Sequence, residues 1–164
     1  MKNIEIEPMD ADAFAEFGDV IECSRGVPTT INEGMCQRFS DLANLAHDSS
    51  GRLGVSIFRS RLRTLPYELD LVERHPLGPQ AFLPMDGEAF LVTVARDVGG
   101  SPGHPRAFLT QRWTGVNIRR NAWHGVLTPL SGTGLFWVVD WIGESGNLIE
   151  HRWPEVWIVG EECI

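Results

Sequence analysis

"ERHPLGPQAFLPMDG", Glu73–Gly87, decides how the rest of the chain is read. Glu73 and His75 lie two residues apart, so on a strand both side chains leave the same face. "PLGP" is turn chemistry, and "QAFLPM" after it reads as a return strand that brings Gln80 back over that face. A strand that only held a sheet together would keep its ionisable groups on the wet side of an apolar–polar alternation. An acid, an imidazole and an amide beside Phe82 and Leu83 therefore point into a pocket within a β-structure.

Working outward, the chain is punctuated into short strands. "LGVSIFR", "YELDLVER", "EAFLVTVAR", "RAFLTQ", "GLFWVVDWI" and "VWIVG" are rich in β-branched or aromatic residues and bounded by Gly, Pro or Asp. Phe90, Val92 and Val94 share one face of their strand, and Leu91, Thr93 and Ala95 take the other. One helix is expected at the N-terminal side, with Asp10 as N-cap, "ADAFAEF" as its body and Gly18 as its stop. A further helical turn is expected around "DLANLA", Asp41 to Ala46. "DVGGSPGHP", Asp97 to Pro105, reads as a flexible loop. Many short strands without long helices between them exclude a parallel βαβ sheet and predict a sandwich or barrel. There is no internal repeat or linker, so residues 1–164 read as one all-β domain with a short N-terminal helical decoration. Such a length removes about 70% of the unfolded chain's surface from water.

Composition narrows the function classes. The formal charge is −8, from 14 basic and 22 acidic residues. This balance argues against a nucleic-acid or anionic-membrane binder, which needs a basic face. It leaves room for a small anionic substrate, because a few local arginines can reverse the field in one pocket. The opening "MKNIEIEPMDADAF" has no basic segment followed by an apolar core, so no secretory signal is expected. "LFWVVDWI" is too short to span a bilayer and contains Asp140. Cys23, Cys36 and Cys163 form no CxxC pair and read as reduced, buried thiols in a cytoplasmic protein.

Written with its spacing, the opening stretch is E-x-H-x4-Q-x6-G, running from Glu73 through His75 and Gln80 to Gly87. It resembles the first metal-binding motif of the cupin superfamily, with Glu for the first His and Gln for the usual Glu. A second polar cluster, "GVNIRRNAWHG", Gly115 to Gly125, offers His124. If both segments line one barrel, His75, His124 and Glu73 make a two-His, one-carboxylate set with Gln80 as a further donor. Such a set suits a divalent transition metal with open positions.

Four segments carry a closer likeness: "FGDVIE", "INEGMCQRFSDLA", "ERHPLGPQAFLPMDGEAFLVTVA" and "GVNIRRNAWH" closely resemble the ureidoglycolate lyase family. The resemblance covers most of the chain. It implies a cupin-like double-stranded β-helix barrel, usually as a homodimer, that splits ureidoglycolate into glyoxylate and urea during allantoin-based recovery of purine nitrogen. It also implies nickel or a similar divalent ion. Removing the hydroxyl proton as the carbon–nitrogen bond breaks calls for a metal or a well-placed base. His75, His124 and Glu73 are the catalytic candidates. The substrate carboxylate wants an arginine's planar fork. Arg120, four residues before His124, is the first choice, with Arg38, Asn117 and Gln80 as further binding candidates. Trp123 reads as core packing, and His47, His104 and His151 as surface residues. Two other readings compete: another small-molecule cupin enzyme (an isomerase or oxygenase), and a non-catalytic cupin module that binds a small anion.

Overall fold

Short apolar runs cut by turn residues give this chain strands and almost nothing else. The computed structural model describes residues 2–160. The first strands are β1 (Lys2–Ile4), β2 (Ile6–Pro8), β3 (Gly18–Ile21), β4 (Thr29–Ile31) and β5 (Cys36–Arg38). Then come β6 (Arg52–Arg59), β7 (Tyr67–Arg74), β8 (Gln80–Pro84), β9 (Phe90–Val98) and β10 (Ser101–Leu109). The last are β11 (Gly115–Ile118), β12 (Trp123–His124), β13 (Thr128–Pro129), β14 (Leu135–Ile142) and β15 (Ile149–Val159). One short helix, α1 (Ala11–Phe14), is capped by the Asp10 carboxylate, which accepts from the Ala13 amide at 2.8 Å.

One sheet runs β1-β15-β7-β12-β9-β10-β2, with β13 added to β9; a second runs β3-β11-β8-β14-β6, and β4 and β5 form a separate pair. Only Glu5 separates β1 from β2, yet β1 pairs parallel with β15 and β2 pairs parallel with β10. Lys2 to Pro8 thus tie the two ends of the first sheet together and nearly close it. The architecture is all-β and barrel-like, one of the two forms the strand pattern predicts and the cupin-like one that the family resemblance implies. Closure also covers the β15 edge at "VWIVG".

The faces of β9 part as its alternation demands. Phe90, Val92 and Val94 join Phe82, Phe108, Phe136 and Val138 between the sheets. Leu91 and Ala95 join Ile4, Leu69, Trp123, Trp157 and Val159 within the curled first sheet.

Several expectations are corrected. Residues 97–105 are not a flexible loop: β9 and β10 form a tight hairpin over Gly99 and Gly100, whose φ of 60° and 89° suit a two-residue turn. Gly18 does not stop α1; it opens β3, where a side chain would strike the Asn117 carbonyl. Residues 41–46 form no helix, because Asn44 instead hydrogen-bonds to β3 and β11 across the second sheet. Cys23 and Cys36 are exposed rather than buried, and Cys163 lies outside the described residues. Most relevant to the site, β7 and β8 do not pair. The chain crosses from one sheet to the other at "HPLGP", so Gln80 faces Glu73 across the interior.

Ile4 carries the closure prediction. It is 4% exposed and packs with Val159, its neighbour in register. Ile4→Ala should cost about 2–4 kcal/mol by denaturant unfolding, as for a buried large-to-small change. Asn3→Ala, on the exposed side of the same strand, should change stability by less than about 0.5 kcal/mol.

Candidate active site

Glu73 sits near the end of β7, directly opposite His124 on β12. His75 follows two residues later, just past the strand, and so projects toward the same side. Two anchors fix its backbone and ring. Its carbonyl accepts from the Asn121 amide at 2.9 Å, and its Nδ1 lies 2.6 Å from the Asn147 carbonyl. The Asn147 side chain in turn accepts from the Leu77 amide at 2.6 Å. Asn121, at φ +66°, occupies the left-handed region that asparagine tolerates. That residue turns the chain so that Trp123 and His124 can enter β12.

A carbonyl can only accept, so Nδ1 of His75 carries the ring hydrogen. The same holds for His124, whose Nδ1 is 2.9 Å from the Ala122 carbonyl. When neutral, each imidazole then presents its Nε2 lone pair. Both Nε2 atoms are buried without a hydrogen-bond partner, and each lies 3.7 Å from Oε1 of Glu73. The ring centroids are 5.2 Å apart. One donor atom from each of the three residues falls within 4.8 Å of the others. Two bare imidazole nitrogens and a carboxylate oxygen, at distances too long to bond one another, fit a transition metal between them.

The surroundings separate the two histidines. Burial, reinforced by the neighbouring His75, holds the His124 pKa down at about 4. Burial also opposes protonation of His75, but the adjacent Glu73 carboxylate and the Asn147 carbonyl outweigh it and raise the pKa. The His75 imidazole, against burial, holds Glu73 below the usual carboxylate range. Gln80, on β8 of the facing sheet, interacts with His75 and with Asp140, its cross-strand neighbour. Burial raises the Asp140 pKa, opposed by Gln80.

Glu73, Gln80 and His124 line an open cavity of about 490 Å³ whose apolar wall includes Phe58, Phe82 and Leu127. Glu73, His75, Gln80 and His124 therefore meet, as the spacing predicts. The other binding candidates do not join them. The Arg120 Nε donates to the Pro76 carbonyl, its guanidinium pairs with Asp48 at 3.6 Å, and it lines a separate groove with Arg96 and Arg119. Asn117 is fully buried on β11, where its amide donates to Asp19 and to the Asn44 carbonyl. Arg38 is exposed on β5, which pairs only with β4. Trp123 is core, as expected: it is 1% exposed, its Nε1 donates to Asp97, and Arg74 stacks over its ring. Arg106 is half-buried and doubly bonded to Glu7.

The cavity's positive groups are two residues that sequence reasoning passed over, Arg59 and Arg63. Their signal was the spaced run "RSRLR", three arginines at alternate positions.

Comparison with known proteins gives one consistent result. A family model described as ureidoglycolate lyase matches residues 1–160. The chain is 54% identical to a ureidoglycolate lyase of Rhodobacter capsulatus, over 94% of this chain and 96% of that one. It is 50% identical to one from Chelativorans sp., over 94% of each chain. It is 42% identical to one from Agrobacterium fabrum, over 98% of each.

The donor set makes a direct prediction. The protein should bind one divalent transition-metal ion per chain by calorimetric titration. His124→Ala should weaken that binding by more than about 100-fold, since loss of merely supporting groups around a metal site already costs about 10–100-fold. Equal affinity in the parent and the variant would remove the metal reading.

Proposed function

We infer the activity from the premise that the chain belongs to the ureidoglycolate lyase family, whose model spans residues 1–160. It cleaves ureidoglycolate to glyoxylate and urea. The observation that carries this from family to residues is the pair of bare, buried Nε2 atoms facing Glu73 at the wall of an open cavity. A non-catalytic anion-binding module would gain nothing from keeping two imidazoles desolvated and unpartnered beside a carboxylate.

In the reaction the hydroxyl O–H and the carbon–nitrogen bond break, and the hydroxyl oxygen's electrons form the glyoxylate carbonyl. The departing urea nitrogen takes up one proton, so no net proton is consumed. His75, His124 and Glu73 would hold a divalent ion, with nickel our choice from the family likeness, and the ion would polarise the hydroxyl for deprotonation. Glu73 is the one carboxylate along the cavity among the described residues. Both imidazoles face its Oε1, which leaves Oε2 to take the hydroxyl proton and deliver it to nitrogen. Gln80, across the cavity, offers an amide to orient the ureido group. Phe58, Phe82 and Leu127 exclude water from one side and so strengthen these polar contacts.

We further propose that the protein works in the cytoplasm as a homodimer. Among the described residues, no helix is long and apolar enough to cross a membrane. Val55, Ile57 and Trp137 form an exposed apolar patch on adjacent strands β6 and β14, with Ile57 opposite Trp137. Such a patch on the outer face of a sheet supports pairing with a second copy. Trp137→Glu should therefore shift sedimentation from dimer to monomer at micromolar concentration. A monomeric parent would dismiss the pairing.

The activity is tested by following glyoxylate and urea release from ureidoglycolate by metal-loaded protein. Both products should appear in equal amounts. Glu73→Gln should lower kcat by about 100-fold or more, the range of a lost general base. Release of ammonia in place of urea would make the protein a hydrolase of another kind.

A further inference from the structure

The substrate of the proposed reaction is an anion, and the residue first expected to hold it, Arg120, is engaged elsewhere with Pro76 and Asp48. The described ion pairs also occupy Arg74, Arg96, Arg106, Arg112 and Arg152. Arg59, Arg61 and Arg63 take part in none of them. Of these three, Arg59 and Arg63 line the cavity that contains Glu73, Gln80 and His124.

The segment that carries them is held down. The Ser60 amide donates to the Gly134 carbonyl at 2.9 Å, and the Ser60 hydroxyl donates to the Leu127 carbonyl at 3.1 Å. The Arg63 amide donates to the Pro129 carbonyl at 2.9 Å. Its guanidinium stands 5.0 Å over the Tyr67 ring. Stacking on an aromatic face restrains the planar group while leaving its in-plane N–H fork free for a carboxylate. The cavity thus has metal-ligating donors at one part of its wall and an unpaired guanidinium at another.

We propose that Arg63 binds the carboxylate of a small 2-hydroxy or 2-oxo acid in this cavity, with Arg59 as an outer positive charge. This rests on the lyase reading for the identity of the acid, though not for the presence of the site. An acid held at Arg63 would present its neighbouring carbon and hydroxyl toward Glu73 and His124.

Glyoxylate is the probe, since its binding can be measured by calorimetry without turnover. Arg63→Gln should weaken glyoxylate binding by about 10–100-fold, as expected for a lost charge-assisted fork. Arg63→Lys should recover part of it. Arg61→Gln removes the same charge from the same segment outside the cavity and should leave binding within about twofold, because an exposed charge at a distance is screened. Metal affinity and melting temperature should match the parent in all three variants. With ureidoglycolate, Arg63→Gln should raise KM much more than it lowers kcat. Glyoxylate binding that is absent in the parent, or equal in Arg63→Gln and Arg61→Gln, overturns the proposal. Binding lost at Arg63→Gln alone, in a protein that does not consume ureidoglycolate, would uphold the carboxylate site and remove the lyase reading instead.

Discussion

Two hydrogen bonds from imidazole Nδ1 to backbone carbonyls set the chemistry of this molecule. Asn147 accepts from His75 and Ala122 accepts from His124. A free imidazole can place its hydrogen on either nitrogen, and in a buried site that ambiguity would leave the donor set undefined. Here the backbone holds the Nδ1 hydrogen of each ring, so both rings turn Nε2 toward Glu73. Much of the nearby chain is arranged to supply those carbonyls. The 143–148 segment brings Asn147 over His75, with its side chain on the Leu77 amide. The turn at Asn121 holds Ala122 two residues before the ring it serves. Burial adds the second half of the constraint, because it disfavours the imidazolium that would block Nε2 of His124.

A site made this way needs two rigid walls, and the sheets provide them. Glu73 and His124 are cross-strand neighbours on the first sheet, while Gln80 and Asp140 are neighbours on the second. Their separation is therefore set by how the sheets pack, with Phe82, Val94, Val116 and Val138 filling the space between. Residues 2–8 matter at this distance. By pairing with β15 and β10, they keep the first sheet curled, and so hold β7 and β12 at a fixed angle to β8.

The strands that build these walls were legible because they are long enough to show alternation. Tyr67–Arg74 and Leu135–Ile142 read as strands from residue types alone, and the split faces of β9 follow from period two. Glu73 with His75 was legible for the same local reason. Strands of two or three residues, such as β1, β2, β12 and β13, have no period to detect and are made by their partners. The path of Gln80 was misread because "PLGP" signals a turn without saying whether the strands it joins share a sheet. Arg120 shows the limit of nearness in sequence. It precedes His124 by four residues, but the turn at Asn121 intervenes and the two side chains leave on different sides. Arg63 gave the converse: an exposed arginine in a polar segment looks ordinary until the fold lays it against the cavity.

Charge decides how such a cavity could take an anion. Glu73 must stay ionised to serve as ligand or base, and a substrate carboxylate brought within about 5 Å of it would be repelled by about 3 kcal/mol at an effective dielectric of 20. That is enough to lower affinity more than a hundredfold. His124, kept neutral by burial, does nothing to offset it. A divalent ion between the two histidines and Glu73 would change the sum of the donor cluster from one negative charge to one positive, and repulsion would become attraction of similar size. Arg59 and Arg63 extend that positive region to the mouth. In a protein of net charge −8, the field that an acid substrate meets would thus be set by a few residues around one cavity. An ion held by the histidine nitrogens and the unpaired arginines would then be two parts of one electrostatic design, since each would supply positive charge that the rest of the molecule lacks.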